Sequence, residues 1–385
     1  MEAPQVDGLQ AGRLIGSGAC GRVYQAVDDA GAALAVKVFD GTAISRGLLG
    51  KMTERLETGG WPAGVMPVHS ATFKEGRSLW VMPLLAGVKD GGDPVPRSLQ
   101  MSIDEHPGDG SWRLVRSLAR ALAGMHERRV AHGNLKPGNV FFRDDGELLV
   151  SDWALGNMPG LKHFNFTDAV LYQPPEQLRD SGGYLEEAGY RWDVFSFGSL
   201  AYRVLTGRFP RCHETFSFVA PAAGETRKDG IQADLGKVAR NLESQPDVTW
   251  PDEPLNLLEA GLREWIDRCL LLDPAKRPAT MMEVRAGFEA VEKKMTADAE
   301  REALMDQRRR AERRAWRTLF FAGVATASAV ALGGLWQLSN SQLLKERGER
   351  DSDVRLLKTA SEAAVAERTA AEKKMAEAQQ ALTYE

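Results

Sequence analysis

The stretch Val130–Val140, V-A-H-G-N-L-K-P-G-N-V, constrains this chain most, because His132, Asn134, Lys136 and Asn139 crowd into one short loop. Before it, Trp112 to Arg128 carries Leu114, Leu118, Leu122 and Met125 on one stripe, which predicts an amphipathic helix with a core-facing side. After it, Val140-Phe141-Phe142 and Leu148-Leu149-Val150 flank Asp144-Asp145-Gly146, a hairpin signal. The hairpin ends in Ser151-Asp152-Trp153-Ala154, so a carboxylate follows the polar loop at the far side of a short β-ribbon.

A second polar element lies near the N-terminus. Leu14 to Val23 reads L-I-G-S-G-A-C-G-R-V, with Gly16, Gly18 and Gly21 spaced G-x-G-x-x-G. A dinucleotide-binding turn shares that spacing, but such a turn opens a helix. Here Tyr24, Ala26 and Val27 alternate with polar residues as a strand does, and Asp28-Asp29-Ala30-Gly31 turns into a further strand, Ala32 to Phe39. A strand, glycine turn, strand arrangement suits a loop folded over phosphates, since backbone amides approach phosphate closely only where no side chain intrudes. Cys20 at the loop tip is either a small filler or a reactive thiol.

Taken in order, these motifs resemble the protein kinase superfamily, in the arrangement of a bacterial receptor-type Ser/Thr kinase. Val130–Val140 is similar to the catalytic loop H-R-D-x-K-x-x-N, Ala35-Val36-Lys37 to the phosphate-binding strand, and Asp152-Trp153-Ala154 to D-F-G. The resemblance implies an α+β, bilobal protein-kinase fold over residues 9–291, with a small β-rich N-lobe and a larger helical C-lobe. It further implies ATP and Mg2+ as cofactors. Ile15, Gly16, Ser17, Gly18, Gly21, Val23, Ala35, Lys37, Met82 and Leu84 would surround the nucleotide, and Asn139 and Asp152 would hold the metal. Asn134 stands at the catalytic Asp position, with Lys136 beside it. Val65 to Phe73 and Ser78 to Leu84 read as strands joined at Glu75-Gly76, the second leading into a hinge where Pro83 has no N–H to donate.

The helix Ile44 to Thr58, apolar at Leu48, Leu49, Met52 and Leu56, would bring an acid to Lys37. Glu54, Glu57 or neither fills that role, because counting back from Trp61-Pro62 puts the partner position nearer Met52. Asp90 to Gly110 is rich in Gly, Pro and Asp and reads as a turn into the larger lobe, while Arg211 to Pro254 reads as loop. By resemblance, Asp193 braces the catalytic loop and Arg277 pairs with Glu176. Gly133, Asn134 and Ala169 replace the activation-loop clamp, the catalytic base and a substrate-side Thr, and Ala154 replaces the Gly after the D-F aromatic. Without the Arg at Gly133, Thr167 lacks its usual phosphate reader.

Composition narrows the remaining classes. A net charge of -4 gives no sign of nucleic acid, and three separated cysteines, Cys20, Cys212 and Cys269, fit a reducing compartment better than a disulfide framework. Residues 292–317 read as a basic helix ending in Arg308-Arg309-Arg310 and Arg313-Arg314. Residues 318–338 are uncharged and long enough to cross a bilayer, with Trp316 and Trp336 at the edges; a buried helix is the alternative. Arginine on the N-terminal side predicts a single-pass membrane protein with a cytoplasmic kinase-like domain and an extracytoplasmic tail, residues 339–385. Gly323, Ala327 and Ala331 fall four apart, either a homodimer face or a chance feature of an alanine-rich span. In the tail, Leu357, Ala364, Ala371 and Ala378 recur every seven residues, but Glu367 and Lys374 interrupt the seam, leaving coiled coil and solvated single helix both open.

The expected function is a membrane-anchored pseudokinase that binds ATP and Mg2+ and acts on a cytoplasmic protein partner. A weakly active Ser/Thr kinase is the alternative, and an anchor that binds no nucleotide is the third reading.

Overall fold

The computed structural model describes residues 4–18, 21–39, 46–74, 76–88, 94–108, 110–153, 163–165, 168–180, 188–214, 232–341 and 350–381. Cys20, Ala154 and Thr167 lie outside them, as do residues 40–45 at the expected start of the first helix. The chain divides into two compact units, Met1–Asp298 and Ala299–Glu385.

The first unit opens with five strands: β1 (Leu9–Gly18), β2 (Gly21–Asp28), β3 (Ala33–Phe39), β4 (Ser70–Lys74) and β5 (Arg77–Pro83). They form one antiparallel sheet ordered β1-β2-β3-β5-β4, with helix α1 (Arg46–Glu57) between β3 and β4 in sequence. The turn into β3 is made by Asp28, whose Oδ1 accepts from the amides of Ala30 at 3.0 Å and Ala32 at 2.7 Å. In β3, Val36 and Val38 are buried with Tyr24, Ala26, Leu79 and Val81. Ala35 is buried instead with Met66, Met82 and Leu149, so alternation along one strand serves two apolar clusters.

The strand expected from Val65 is shorter than its sequence pattern. Residues 64–66 leave the sheet: the Met66 amide donates to Val150 O at 2.8 Å, and the Val150 amide donates to Gly64 O at 2.7 Å. That pairing ties the small lobe to the hairpin Val140–Phe142/Leu148–Val150. Its hydrophobic run therefore reflects burial between two elements rather than one long strand.

The larger lobe is built on helices Ser111–Glu127 and Ala188–Thr206. In the first, Val115, Leu118, Leu122 and Met125 are buried, each contributing roughly 1.5–3 kcal/mol on full burial. The segment expected as an open turn, Asp90 to Gly110, is more ordered over its described residues 94–108 than its composition predicts. It contains the strand Pro94–Pro96, which pairs with Ala86–Val88 just before the segment, and the helix Leu99–Ser102, because Leu99 and Ile103 are buried in the main core. Likewise Arg211 to Pro254 holds a helix, Leu235–Glu243, capped by Asp234, whose side chain accepts from the Lys237 amide. Buried Arg211 donates to the carbonyls of Gln245 at 2.7 Å and Pro246 at 2.9 Å, and burial lowers its guanidinium pKa to about 10. Cys212 and Cys269 are buried free thiols.

The helix Met281–Ser341 starts with Met281, Val284 and Phe288 buried in the first unit, and its residues from Ala299 onward belong to the second. Over its described residues it is long and apolar enough to cross a membrane, with a window of mean hydropathy 1.4 in which nothing is buried. The helix Arg350–Ala381 exposes Val354, Leu356, Leu357 and Val365.

Candidate functional site

A cavity of about 340 Å3 lies between the sheet and the larger lobe. Ile15, Gly16 and Ser17 of β1 and Gly21 and Val23 of β2 line one wall. Gly21 is required there by its backbone: φ is +142°, and a Cβ would overlap the Val38 carbonyl. Ala35, Met66, Met82, Leu84 and Phe141 supply the apolar interior, and Lys37, Lys136, Asn139 and Asp152 the polar end. Gly18 closes β1 opposite Gly21, and Asn134 lies outside the cavity lining. Sequence reasoning missed Met66, Ser98, Gln100, Phe141 and Ser151 as lining residues. Phe141 and Ser151 flank motif positions and were within reach of the pattern; Ser98 and Gln100 sit in the segment read as a turn.

Lys37 is buried and its Nζ donates to Asp152 Oδ2 at 2.5 Å. The question of its partner on α1 is thereby answered: Glu54 and Glu57 are exposed, while Leu49, Met52 and Leu56 turn inward. Asp152 has φ +60°, an uncommon conformation for a residue with a Cβ, and such local strain persists only where the surroundings hold it. Burial opposes its ionisation, but the charges of Lys37 and Lys136 outweigh burial and hold the carboxyl below its usual range. Trp153 follows, fully buried, with its ring 4.5 Å from that of Trp80 and 5.9 Å from that of Trp61, and its Nε1 donating to Met66 O at 3.3 Å.

The polar loop is held from below by Asp193. Its Oδ2 accepts from the His132 amide at 2.6 Å and from His126 Nε2 at 2.9 Å, and its Oδ1 accepts from the Gly133 amide at 2.7 Å. His126 Nδ1 accepts from the Met281 amide, which leaves the proton on Nε2 for Asp193. Gly133 has φ +72°, natural for glycine, and its carbonyl accepts from Gln177 Nε2 at 2.8 Å. His132 is wholly buried; burial lowers its pKa, and its Nδ1 accepts from the Asn134 amide at 3.2 Å. Asn139 Nδ2 donates to Asn134 O at 2.7 Å, leaving the amide oxygen of Asn139 as an acceptor. The side-chain nitrogen of Asn134 is buried without a hydrogen-bond partner among the described residues. Further out, Arg277 grips Glu176 with both guanidinium nitrogens, at 2.6 and 3.2 Å, and lies over the Phe195 ring.

Chemically, the cleft offers an apolar slot, two ammonium groups and two oxygen donors, the Asn139 amide and the Asp152 carboxylate. These suit one magnesium ion completed by phosphates and water, and no cluster of three His, Cys, Asp or Glu forms a metal cage among the described residues. An amide at Asn134 cannot take up a proton as a carboxylate would.

A five-stranded lobe above a helical lobe, with a glycine hairpin, a buried lysine and a braced polar loop around one cleft, defines a protein kinase-type domain. Residues 98–288 match the family model of the protein kinase domain. CBL-interacting protein kinase 4 of Oryza sativa subsp. japonica is 30% identical over 286 residues, covering 70% of this chain and 60% of the relative. Serine/threonine-protein kinase PknL of Mycobacterium tuberculosis (strain ATCC 25618 / H37Rv) is 28% identical over 154 residues, 39% of this chain and 36% of the relative. The chain thus contains a protein kinase domain with serine/threonine kinase homologues, and it spans less than two thirds of the length of those relatives. Plant and bacterial kinases both match, so the likeness does not assign a bacterial receptor type.

Proposed function

We propose that this protein is a membrane-anchored, kinase-like signalling module that binds ATP with Mg2+ and has lost most phosphotransfer. The observation that carries the reading is the 2.5 Å pairing of Lys37 with Asp152 while Met52 occupies the inward face of α1. Active kinases need the lysine paired with a helix Glu and the Asp given to metal, and here one lysine occupies the Asp. Asn134 in place of a general base removes a further ~100- to 10,000-fold. The nucleotide would lie with its base among Ala35, Met82 and Leu84 and its phosphates toward Gly16, Gly21, Lys37 and Lys136. The uncharged residues 318–338 would cross the membrane, with the kinase domain on the cytoplasmic side, as the arginines before them favour.

The test uses the full-length protein in detergent with labelled ATP and Mg2+. Binding without transfer of label to itself or to a generic protein substrate is expected. Steady transfer that vanishes in Asp152→Ala would overturn it and favour a weakly active Ser/Thr kinase. That second reading is favoured by one observation, that Lys37, Lys136, Asn139 and Asp152 still line a single cavity. Protease digestion of sealed vesicles tests topology: a tail cut only from the lumenal or external face fits the proposed orientation.

A further inference from the structure

The charges that line the cleft can be counted among the described residues: Lys37 and Lys136 against Asp152. A protein kinase of the ordinary pattern sets its two lysines against three carboxylates, the helix Glu, the catalytic Asp and the metal-binding Asp. In this chain two of those carboxylates are gone. Met52, buried in the core, stands nearest the position that the helix acid takes in the motif order, and Asn134 supplies an uncharged amide in the loop. Glu54 and Glu57 do not compensate, since both are exposed. Among the described residues that line the cleft, the balance is thus net positive.

That balance bears on what a divalent cation does. In a carboxylate-rich cleft the metal offsets repulsion between protein carboxylates and the polyanionic phosphates, besides bridging them. Where the lysines outnumber the carboxylates, the phosphates meet net attraction without it. With no helix acid beside it among the described residues, Lys37 can offer its charge to phosphate as well as to Asp152. The remaining oxygen donors, one carboxylate and one amide, also make a weaker metal site than two or more carboxylates would.

We infer that this domain binds ATP without requiring a divalent cation, the two lysines that face a single carboxylate in the cleft taking over the neutralising role of the metal. The inference rests on the nucleotide-binding reading above and concerns what that binding needs.

The experiment measures ATP affinity of the full-length protein in detergent by displacement of a fluorescent ATP analogue, once with excess EDTA and once with Mg2+. Dissociation constants within about threefold of each other are expected, because the lysines already offset phosphate charge and screening keeps the remaining difference small. Binding that is lost in EDTA, or weakened by more than about tenfold, would overturn the inference while leaving ATP binding intact. Absence of binding in both conditions would instead defeat the nucleotide-binding reading itself, and this inference with it. Restoring charge gives the second arm. Asn134→Asp, and Asn134→Asp combined with Met52→Glu, should weaken ATP binding in EDTA stepwise, by about fivefold and then more, with Mg2+ recovering it. The single variant keeps the arm usable where a buried Glu at position 52 disturbs folding. Variants as insensitive to EDTA as the parent would overturn the charge argument.

Discussion

Lys37 and Asp152 meet at 2.5 Å although 115 residues separate them in the chain. The contact joins β3 of the small lobe to the segment that follows the hairpin of the larger one, so it both shapes the polar end of the cleft and fastens the two lobes. Lys37→Met leaves Asp152 without its main cation, and a loss of ~1–3 kcal/mol in urea unfolding is expected. Adding Asp152→Asn should recover part of that loss, because it removes the stranded charge. Additive single-variant effects would mean the pair is not coupled.

Gly21→Ala should disturb the cleft from the other side. With φ +142° and the Val38 carbonyl where a Cβ would go, the variant must open the β2–β3 ladder at its end. A cost of ~2–4 kcal/mol and at least tenfold weaker ATP binding are expected. A variant with the parent melting temperature and affinity would show that the strand end yields freely.

The Arg277–Glu176 pair is structural and does not line the cleft. Arg277→Lys keeps the charge but cannot reproduce two parallel hydrogen bonds or the stacking on Phe195, so a loss of ~2–4 kcal/mol is expected with unchanged ATP affinity per folded molecule. Calorimetric unfolding and binding measured on the same sample separate the two effects.

His132 gives the domain an acid-sensitive component. Its folded pKa lies below the ordinary value of 6.5 because burial disfavours the imidazolium, so between those two values the unfolded chain binds more protons. Stability from this residue is therefore complete above about pH 6.5 and declines as pH falls toward the lowered value. In His132→Gln, the slope of unfolding free energy just below pH 6.5 should flatten. An unchanged slope would place the proton uptake elsewhere.

Much of the architecture was legible in the chain because it depends on local spacing. The hairpin Val140–Phe142/Leu148–Val150 follows from its turn residues, and the helix Ser111–Glu127 follows from a stripe every three or four positions. The bracing by Asp193 and the Arg277–Glu176 pair were also expected, since resemblance fixes their places in the motif order. Less was legible where composition misled. Residues 90–110 look like a turn, yet Leu99 and Ile103 find a core to enter and order the segment around them. The run beginning at Val65 looks like one strand, yet its first residues pair with Val150 instead.

The sequence by itself determined which side chains are available: a glycine hairpin, two lysines, one carboxylate, and an asparagine and a methionine where acids would complete the pattern. Only the tertiary structure decided how they pair. Period 3.6 places Met52 and Leu56 on one face of α1 and Glu54 and Glu57 on another, but it does not say which face meets the core. Packing of Met52 and Leu56 into the core with Phe39, Trp80 and Trp153 settles that, turning both glutamates outward. Lys37, buried and needing a counter-charge, is left with Asp152.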